Sequence, residues 1–235
     1  SMGDGTSSTV NYLSSMITPS STVITGFAFK PAEDIELNDG EFLCFGSVAE
    51  NKDNHFKLET SQGRHIKCYG DDTYLGTVKN CLFKDKWNHI QLKITFGTSG
   101  SYEIKINDVT VLSDTGVTTS DGGSTACDFV RLRGLNGGDT SSTTHLYDDW
   151  YICDTTGSNN TDFLGAVKIE TLLPNGAGSS SDFTPSAGSN YENVDEVPID
   201  TTTYNESLAT SGNKDLFNID NLSAISGDVK GVQVT

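Results

Sequence analysis

Apolar and polar residues alternate along the first two thirds of the chain with a period of two. In TVITGFAFK (22–30) Val23, Thr25, Phe27 and Phe29 fall on one side. In WNHIQLKITF (87–96) Asn88, Ile90, Leu92, Ile94 and Phe96 oppose Trp87, His89, Gln91, Lys93 and Thr95. Successive side chains of a strand point to opposite faces, so each such segment predicts a strand with one face on a core. The same pattern predicts strands over 41–49, 55–60, 64–69, 101–107, 109–114, 126–134 and 145–153. Turn-forming clusters separate them: NDG at 38–40, ENKDN at 50–54, GDD at 70–72 and Asn107-Asp108. Helical periodicity is almost absent, KDLFNIDNL (214–222) being the place where one or two helical turns are predicted. Eight to ten short strands at this spacing imply an all-β, two-sheet antiparallel sandwich of the jelly-roll kind.

The alternation fades after residue 173. LLPNGAGSSSDFTPSAGSNYENVDEVPIDTTTYNES (172–207) holds Pro, Gly, Ser and acids but few aliphatics, too little apolar area to fold as an independent domain. Isolated anchors remain at Phe183, Tyr191, Val194, Val197, Tyr204, Leu216 and Phe217. The expected organisation is a flexible lead-in over 1–21, a sandwich over 22–173 and an extended C-terminal arm over 174–235 that lies along another surface.

Composition narrows the function. The 235 residues are enough for a sizeable core without staples, and the formal charge is −17. A densely charged phosphate backbone or an anionic membrane surface would be repelled, so nucleic acid and membrane insertion are excluded as partners. No apolar run approaches the roughly 20 residues that span a bilayer, and no secretory signal is expected. Five cysteines (Cys44, Cys68, Cys81, Cys127, Cys153) form no CxxC pair, which favours buried free thiols.

The chemical candidates are few. Adjacent Asp148 and Asp149 in HLYDDWYICD lie on a strand, where alternation sends Asp148, Trp150 and Ile152 to one face and Asp149, Tyr151 and Cys153 to the other. They cannot face one glycosidic bond together. The nearest approach to the E-x-D-x-x-E strand of laminarinase-like glycosidases is the acidic run at Glu33, Asp34, Glu36 and Asp39, which lacks the third carboxylate at the required place and contains a turn. There is no G-x-S-x-G elbow, and His55, His65, His89 and His145 read as strand-start or surface residues. No catalytic residue and no cofactor is therefore assigned. Ca²⁺ has only weak candidates, Asp71, Asp72, Asp121 and Asp139, in loops of hard oxygen donors. Tyr69, Tyr74 and Trp87 are the candidates for stacking on a sugar ring.

Several segments together resemble the concanavalin A-like, laminin-G-like jelly roll: TVITGFAFK, Trp87-Asn88-His89-Ile90, the hairpin through Ile106-Asn107-Asp108, where that family favours Asn-Gly, DFVRLRG and LYDDWYICD. The continuation of the chain past this strand carries a more specific resemblance. TDFLGAVKIETLLPNG (161–176), FTPSAGSNY (183–191) and Val194-Asp195-Glu196 are similar to a pattern of tailed-bacteriophage virion proteins, N-D-F-L-G-x-V-x-V-x-T-L-x-P-N-G and then W/F-T-P-S-x-G-S-N-Y and V-D-E. The junction motif comprises Asp148, Asp149, Trp150, Tyr151, Asp162, Phe163, Leu164 and Gly165. The resemblance implies a non-enzymatic structural component of a phage particle, on capsid or tail, made in the host cytoplasm and localised in the virion. Its implied partners are other copies of itself and other virion proteins. A glycan-binding adhesion module for the host surface is the alternative, and a polysaccharide-degrading enzyme stands third.

Overall fold

Eleven strands form two antiparallel sheets whose apolar faces meet. In the computed structural model, which describes residues 12–31, 40–48, 52–133, 145–197, 201–208, 211–222 and 227–232, they are β1 (Tyr12–Ser20), β2 (Thr22–Lys30), β3 (Gly40–Ser47), β4 (Lys52–Ser61), β5 (His65–Gly70), β6 (Thr73–Val78), β7 (Asn88–Thr95), β8 (Gly100–Ile106), β9 (Val109–Val117), β10 (Cys127–Arg133) and β11 (Leu146–Asp154). One sheet has six strands in the order β1-β10-β3-β4-β5-β6, the other five in the order β11-β2-β7-β8-β9. This is the two-sheet jelly-roll sandwich the alternation predicts. Phe27, Phe29, Ile90, Leu92 and Ile104 from the smaller sheet meet Leu43, Phe45, Phe56, Leu58, Ile66 and Val130 from the larger one in a single core. Burying each large apolar side chain contributes about 1.5–3 kcal/mol. The rings interlock, Phe29 stacked on Phe42 at 5.5 Å and Phe56 tilted against Tyr102 at 5.4 Å between centroids.

The turn chemistry sets the register. Asp71 and Asp72 (φ 47° and 57°) link β5 to β6, and Asn107 and Asp108 (φ 51° and 65°) link β8 to β9. Two left-handed residues in a two-residue loop match the twist of the flanking strands, and Asn and Asp are the non-glycine residues that best tolerate them. Asn107-Asp108 thus makes the same tight hairpin as Asn-Gly. Two strands were not expected. Residues 12–20, assigned to a flexible lead-in, form β1, which pairs with β10 from Tyr12↔Arg133 to Met16↔Phe129 and sets Ile17 against the core. Its sequence, YLSSMITPS, leaves Tyr12, Leu13 and Met16 exposed, because an edge strand needs ladder hydrogen bonds more than burial. β6 likewise closes the other edge with the mixed sequence TYLGTV. The acidic run at 33–39 and Asp139 lie outside the described residues. Among the described residues no helix is long and apolar enough to cross a membrane.

The chain divides into two compact units, Ser1–Ile169 and Glu170–Thr235. The second contains β12 (Pro174–Ser181) paired with β15 (Asp215–Ile219), and β13 (Thr184–Pro185) paired with β14 (Asn205–Glu206). Residues 214–222, where helical turns were expected, therefore supply a strand. One or two isolated turns of helix are unstable in water, whereas the ladder with β12 satisfies the backbone. Side-chain amides and carboxylates do much of the joining. Asn190 Nδ2 donates to Phe183 O (2.8 Å) and Asp215 Oδ2 (2.6 Å), and Phe183 N–H donates to Asp215 Oδ1 (3.0 Å). Ser189 and Glu192 close a capping box around a short 3₁₀ turn. Asn193 is the one buried residue among those described in this unit, so it has ladders but no apolar core.

The most consequential irregularity lies in β11. Asp148 pairs with Ala28 but Tyr151 pairs with Gly26, so β11 holds one residue more than β2 across that interval. Asp149, at φ 53°, absorbs it as a bulge. The face assignment read from strict alternation is thereby corrected. Tyr147, Trp150 and Ile152 pack on the core, while Asp148, Tyr151 and Cys153 share the outward phase. Trp150 Nε1–H donates to Thr25 Oγ1 (3.0 Å), and Thr25 Oγ1–H donates to Tyr151 O (2.8 Å). Thr25→Val keeps the shape but strips both partners, and urea denaturation is expected to register a loss of about 1–3 kcal/mol.

Candidate functional site

The junction motif assembles on the outer face of the five-stranded sheet. After β11 the carboxylate of Asp154 accepts Thr156 N–H (2.8 Å) and Oγ1–H (2.7 Å), turning the chain, and residues 161–169 then cross that face. Asp162 receives Lys93 Nζ at 3.2 Å, and Lys105 Nζ stands 4.1 Å from the centre of the Phe163 ring. Gln91, fully buried, is the hub. Its Oε1 accepts Tyr151 Oη–H (2.9 Å) and Gly165 N–H (3.0 Å), while its Nε2 donates to Asp108 Oδ1 (2.9 Å). Tyr151 Oη also accepts Leu164 N–H (3.3 Å), and Asp149 Oδ1 accepts Ile169 N–H (2.7 Å). Seven of the eight motif residues thus lie on or beside this face, and Trp150 goes to the core. The Tyr151 ring packs over Gly26, where an added Cβ would come within 2.3 Å of its Cε1. Burial pushes the Tyr151 phenol up to about 12, and the Phe163 N–H holds the Asp162 carboxyl below its ordinary value.

Sequence reasoning missed Gln91, Lys93, Lys105 and Asp108 because polar positions on alternate residues of a strand read as a solvated face. The available signal was Phe163-Leu164 directly after a turn, an apolar pair needing a surface to cover.

The second constellation is on the outer face of the six-stranded sheet. Tyr69 and Tyr74 are cross-strand neighbours on β5 and β6, with ring centroids 5.9 Å apart and an interplanar angle of 68°. Lys57 Nζ lies 5.3 Å from the Tyr69 ring and bridges Glu59 (3.2 Å) and Asp72 (2.8 Å). Tyr74 is 57% exposed, and its hydroxyl shares a hydrogen bond of 2.7 Å with Thr77 Oγ1. Trp87 belongs elsewhere, at the start of β7 in the other sheet, 5.9 Å from Lys30 Nζ.

The remaining candidates are dispersed. Asp71 N–H donates to His55 O (3.0 Å) and Asp121 N–H to His55 Nδ1 (3.1 Å), so both flank one histidine. Among the described residues no three His, Cys, Asp or Glu side chains converge as a metal site. His65 Nδ1 accepts Asn80 N–H (3.0 Å). His89 is different. It is buried on the outward side of β7, and neither ring nitrogen has a hydrogen-bond partner among the described residues. Burial lowers its pKa, with Asp108 and Asp149 opposing. All five cysteines are free; burial pushes Cys44 and Cys127 up to about 12 and Cys81 and Cys153 to about 11. A groove lined by Ile17, Thr18, Ile152, Cys153 and Asp154 holds a single carboxylate, already bonded to Thr156.

No protein-family model matches the chain, and no curated protein sequence matches it. Solved structures similar to part of it include a cellulose-induced protein (13% identity, 64% of this chain and 72% of that one, TM-score 0.46). Others are an endo-β-1,4-glucuronan lyase from Trichoderma reesei (16%, 61% and 74%, TM-score 0.43) and a tetrameric galectin from Cinachyrella sp. (12%, 60% and 99%, TM-score 0.41). Similarity to the receptor-binding domain of a botulinum neurotoxin of mosaic serotype C/D spans 57% of this chain but a third (33%) of that one, at TM-score 0.41. The strand order and packing of the chain itself define its class, an all-β, antiparallel two-sheet jelly-roll sandwich.

Two outcomes test the junction. Gly26→Ala is expected to cost about 1–3 kcal/mol through overpacking against Tyr151. In the Gly26→Ala/Tyr151→Ala double variant that penalty falls, while amide exchange at Leu164 and Gly165 accelerates. His89 carries a pH dependence. Its folded pKa lies below the ordinary 6.5, so the unfolded chain takes up its proton first. Stability is full above the ordinary value and declines as pH falls toward the lowered one. Denaturant midpoints from about pH 7.5 to 5 are expected to drop less for His89→Leu than for the parent; equal slopes would exclude this role.

Proposed function

We propose that the chain is a non-enzymatic structural component of a phage particle, assembling through its second unit and localised in the virion. The observation that carries this reading is the absence of an apolar core among the described residues of 170–235 together with well-exposed apolar side chains there, among them Val197 (73%), Leu208 (89%) and Val232 (86%). Ordering such a segment costs about 1–2 kcal/mol of backbone entropy per residue, and burial against a neighbour is the source of free energy that offsets it. The resemblance of the sequence to a virion-protein pattern supports the same reading, since Asp162-Phe163-Leu164-Gly165 here holds the chain on a sheet. The way the polar groups are engaged supports a non-catalytic role: Asp149, Asp154 and Asp162 accept backbone N–H groups.

A second, compatible reading is favoured by the tyrosine pair. Tyr69 and Tyr74 on a tight hairpin form an aromatic platform beside the hydrogen-bonding groups of Lys57, Asp72 and Thr77, the combination that a sugar's apolar face and hydroxyl rim require. We take this as the glycan-recognition face of the same component. For assembly, light scattering of the full chain is expected to give a defined oligomer, and the chain ended at Ile169, which keeps the whole sandwich core, a monomer. A full chain that stays at its single-chain mass of 25.2 kDa at every concentration would refute assembly through this unit.

A further inference from the structure

We infer that residues 165–169 are a pH-sensitive strap: protonation of His89 releases them from the outer face of the five-stranded sheet while the core between the two sheets stays closed. The strap has an anchor at each end. Gly165 N–H donates to Gln91 Oε1 (3.0 Å), and Gln91 is kept in that orientation by Asp108 Oδ1, which accepts its Nε2–H (2.9 Å). Ile169 N–H donates to Asp149 Oδ1 (2.7 Å). Each anchor therefore depends on a carboxylate, Asp108 behind Gln91 and Asp149 itself. The connection so controlled is the one from the sandwich to the second unit, which begins at Glu170.

His89 precedes Gln91 by two positions on β7, so both side chains point outward from the sheet. An outward side chain is buried only where other groups cover it, and His89 is 9% exposed. Its main chain is satisfied, the N–H by Asn107 Oδ1 (2.9 Å) and the carbonyl by Asn107 N–H (2.8 Å), but neither ring nitrogen has a hydrogen-bond partner among the described residues. The β8–β9 turn brings Asp108 to bear on the ring and β11 brings Asp149. β11 also carries Asp148, opposite Ala28 of β2 and bonded to Asp149 N–H (2.8 Å). Ala28 is directly beside His89, and Lys30 of the same strand stands over Trp87. Farther along the face Lys93 is committed to Asp162 and Lys105 to the Phe163 ring; Lys168 is the charged residue of the strap.

A neutral imidazole can stay dry in this place, whereas an imidazolium needs water or a carboxylate. Hydration requires the strap to lift. Capturing Asp149 removes the acceptor of Ile169 N–H, and capturing Asp108 lets Gln91 turn away from Gly165. All three routes loosen the strap. Burial outweighs the two carboxylates, so the closed strap resists the proton and the lifted one exposes an ordinary imidazole. Closure is thus fully favoured above the ordinary value of 6.5 and loses ground as pH falls below it, by at most about tenfold per pH unit for one proton.

The test is amide hydrogen exchange on the full chain, expressed as protection factors so that the intrinsic pH dependence of exchange cancels. From about pH 7.5 to 5.5 protection at Gly165 and Ile169 is expected to fall by up to about tenfold. In sub-denaturing urea it is expected to stay nearly constant, because lifting a strap exposes little surface, while protection at Ile90, Leu92 and Ile104 in the core declines. His89→Leu, or His89→Gln should the first fail to fold, is expected to abolish the pH response at Gly165 and Ile169. Protection there that ignores pH, or a fall that persists in the His89 variant, overturns the strap. So does a urea dependence equal to that of the core amides, since His89 then acts on the whole fold and not on this segment.

Discussion

Asp149 sits in a left-handed backbone conformation in the middle of β11, and much of the molecule's organisation depends on that one added residue. It shifts the strand's phase, so that Tyr147, Trp150 and Ile152 pack on the core and Tyr151 turns outward over Gly26. Thr25 then finds both its partners, Trp150 Nε1 and Tyr151 O, within hydrogen-bond reach. Outward, Tyr151 joins Gln91 to Leu164 and Gly165, while the Asp149 carboxylate receives the Ile169 amide. A bulge re-aims side chains without breaking the sheet, and here it converts the end of a sandwich into the anchor of the segment that leads to the second unit.

The acidity of the chain acquires a structural meaning in the same way. Asp128 accepts Ser47 Oγ–H and Val48 N–H inside the larger sheet, Asp154 shapes the turn after β11, and Asp182 and Asp215 bind backbone N–H groups in the second unit. A short carboxylate is a strong acceptor for an amide that would otherwise lack a partner. A loop-rich chain with few helices has many such amides, so its architecture accounts for a high Asp and Asn content without invoking metal or catalysis.

The two proposed roles occupy different parts of the chain and draw on different physics. Recognition at Tyr69 and Tyr74 relies on a rigid hairpin, whose tight turn at Asp71-Asp72 holds two rings in fixed relation before any ligand arrives. Assembly relies on the opposite condition, a unit whose apolar side chains stay exposed until a neighbour covers them. In the proposed reading, a recognition face on the sandwich and a unit without an apolar core among its described residues would serve one component in two ways.

The inward faces of β2, β7 and β8 were legible from Val23, Phe27, Ile90, Leu92 and Ile104, because a period of two over a buried face leaves one arrangement that hides them. Hairpin turns at Asp71-Asp72 and Asn107-Asp108 were legible for the same local reason, the tolerance of Asn and Asp for positive φ. The sequence also marked Asp162-Phe163-Leu164-Gly165 as a unit and Tyr69 and Tyr74 as candidate platforms. It did not show that Gln91 is a buried hub, that the His89 ring lacks a hydrogen-bond partner among the described residues, or that Trp87 lies apart from the tyrosines. Strand neighbours distant in sequence decide each of these. Nor did it place the Asp149 bulge or β1: a one-residue slip and an edge pairing leave no periodic trace. Local chemistry determined the strands, their inner faces and their turns; which outward side chains meet was decided only when the two sheets had stacked and the chain had crossed back over one of them.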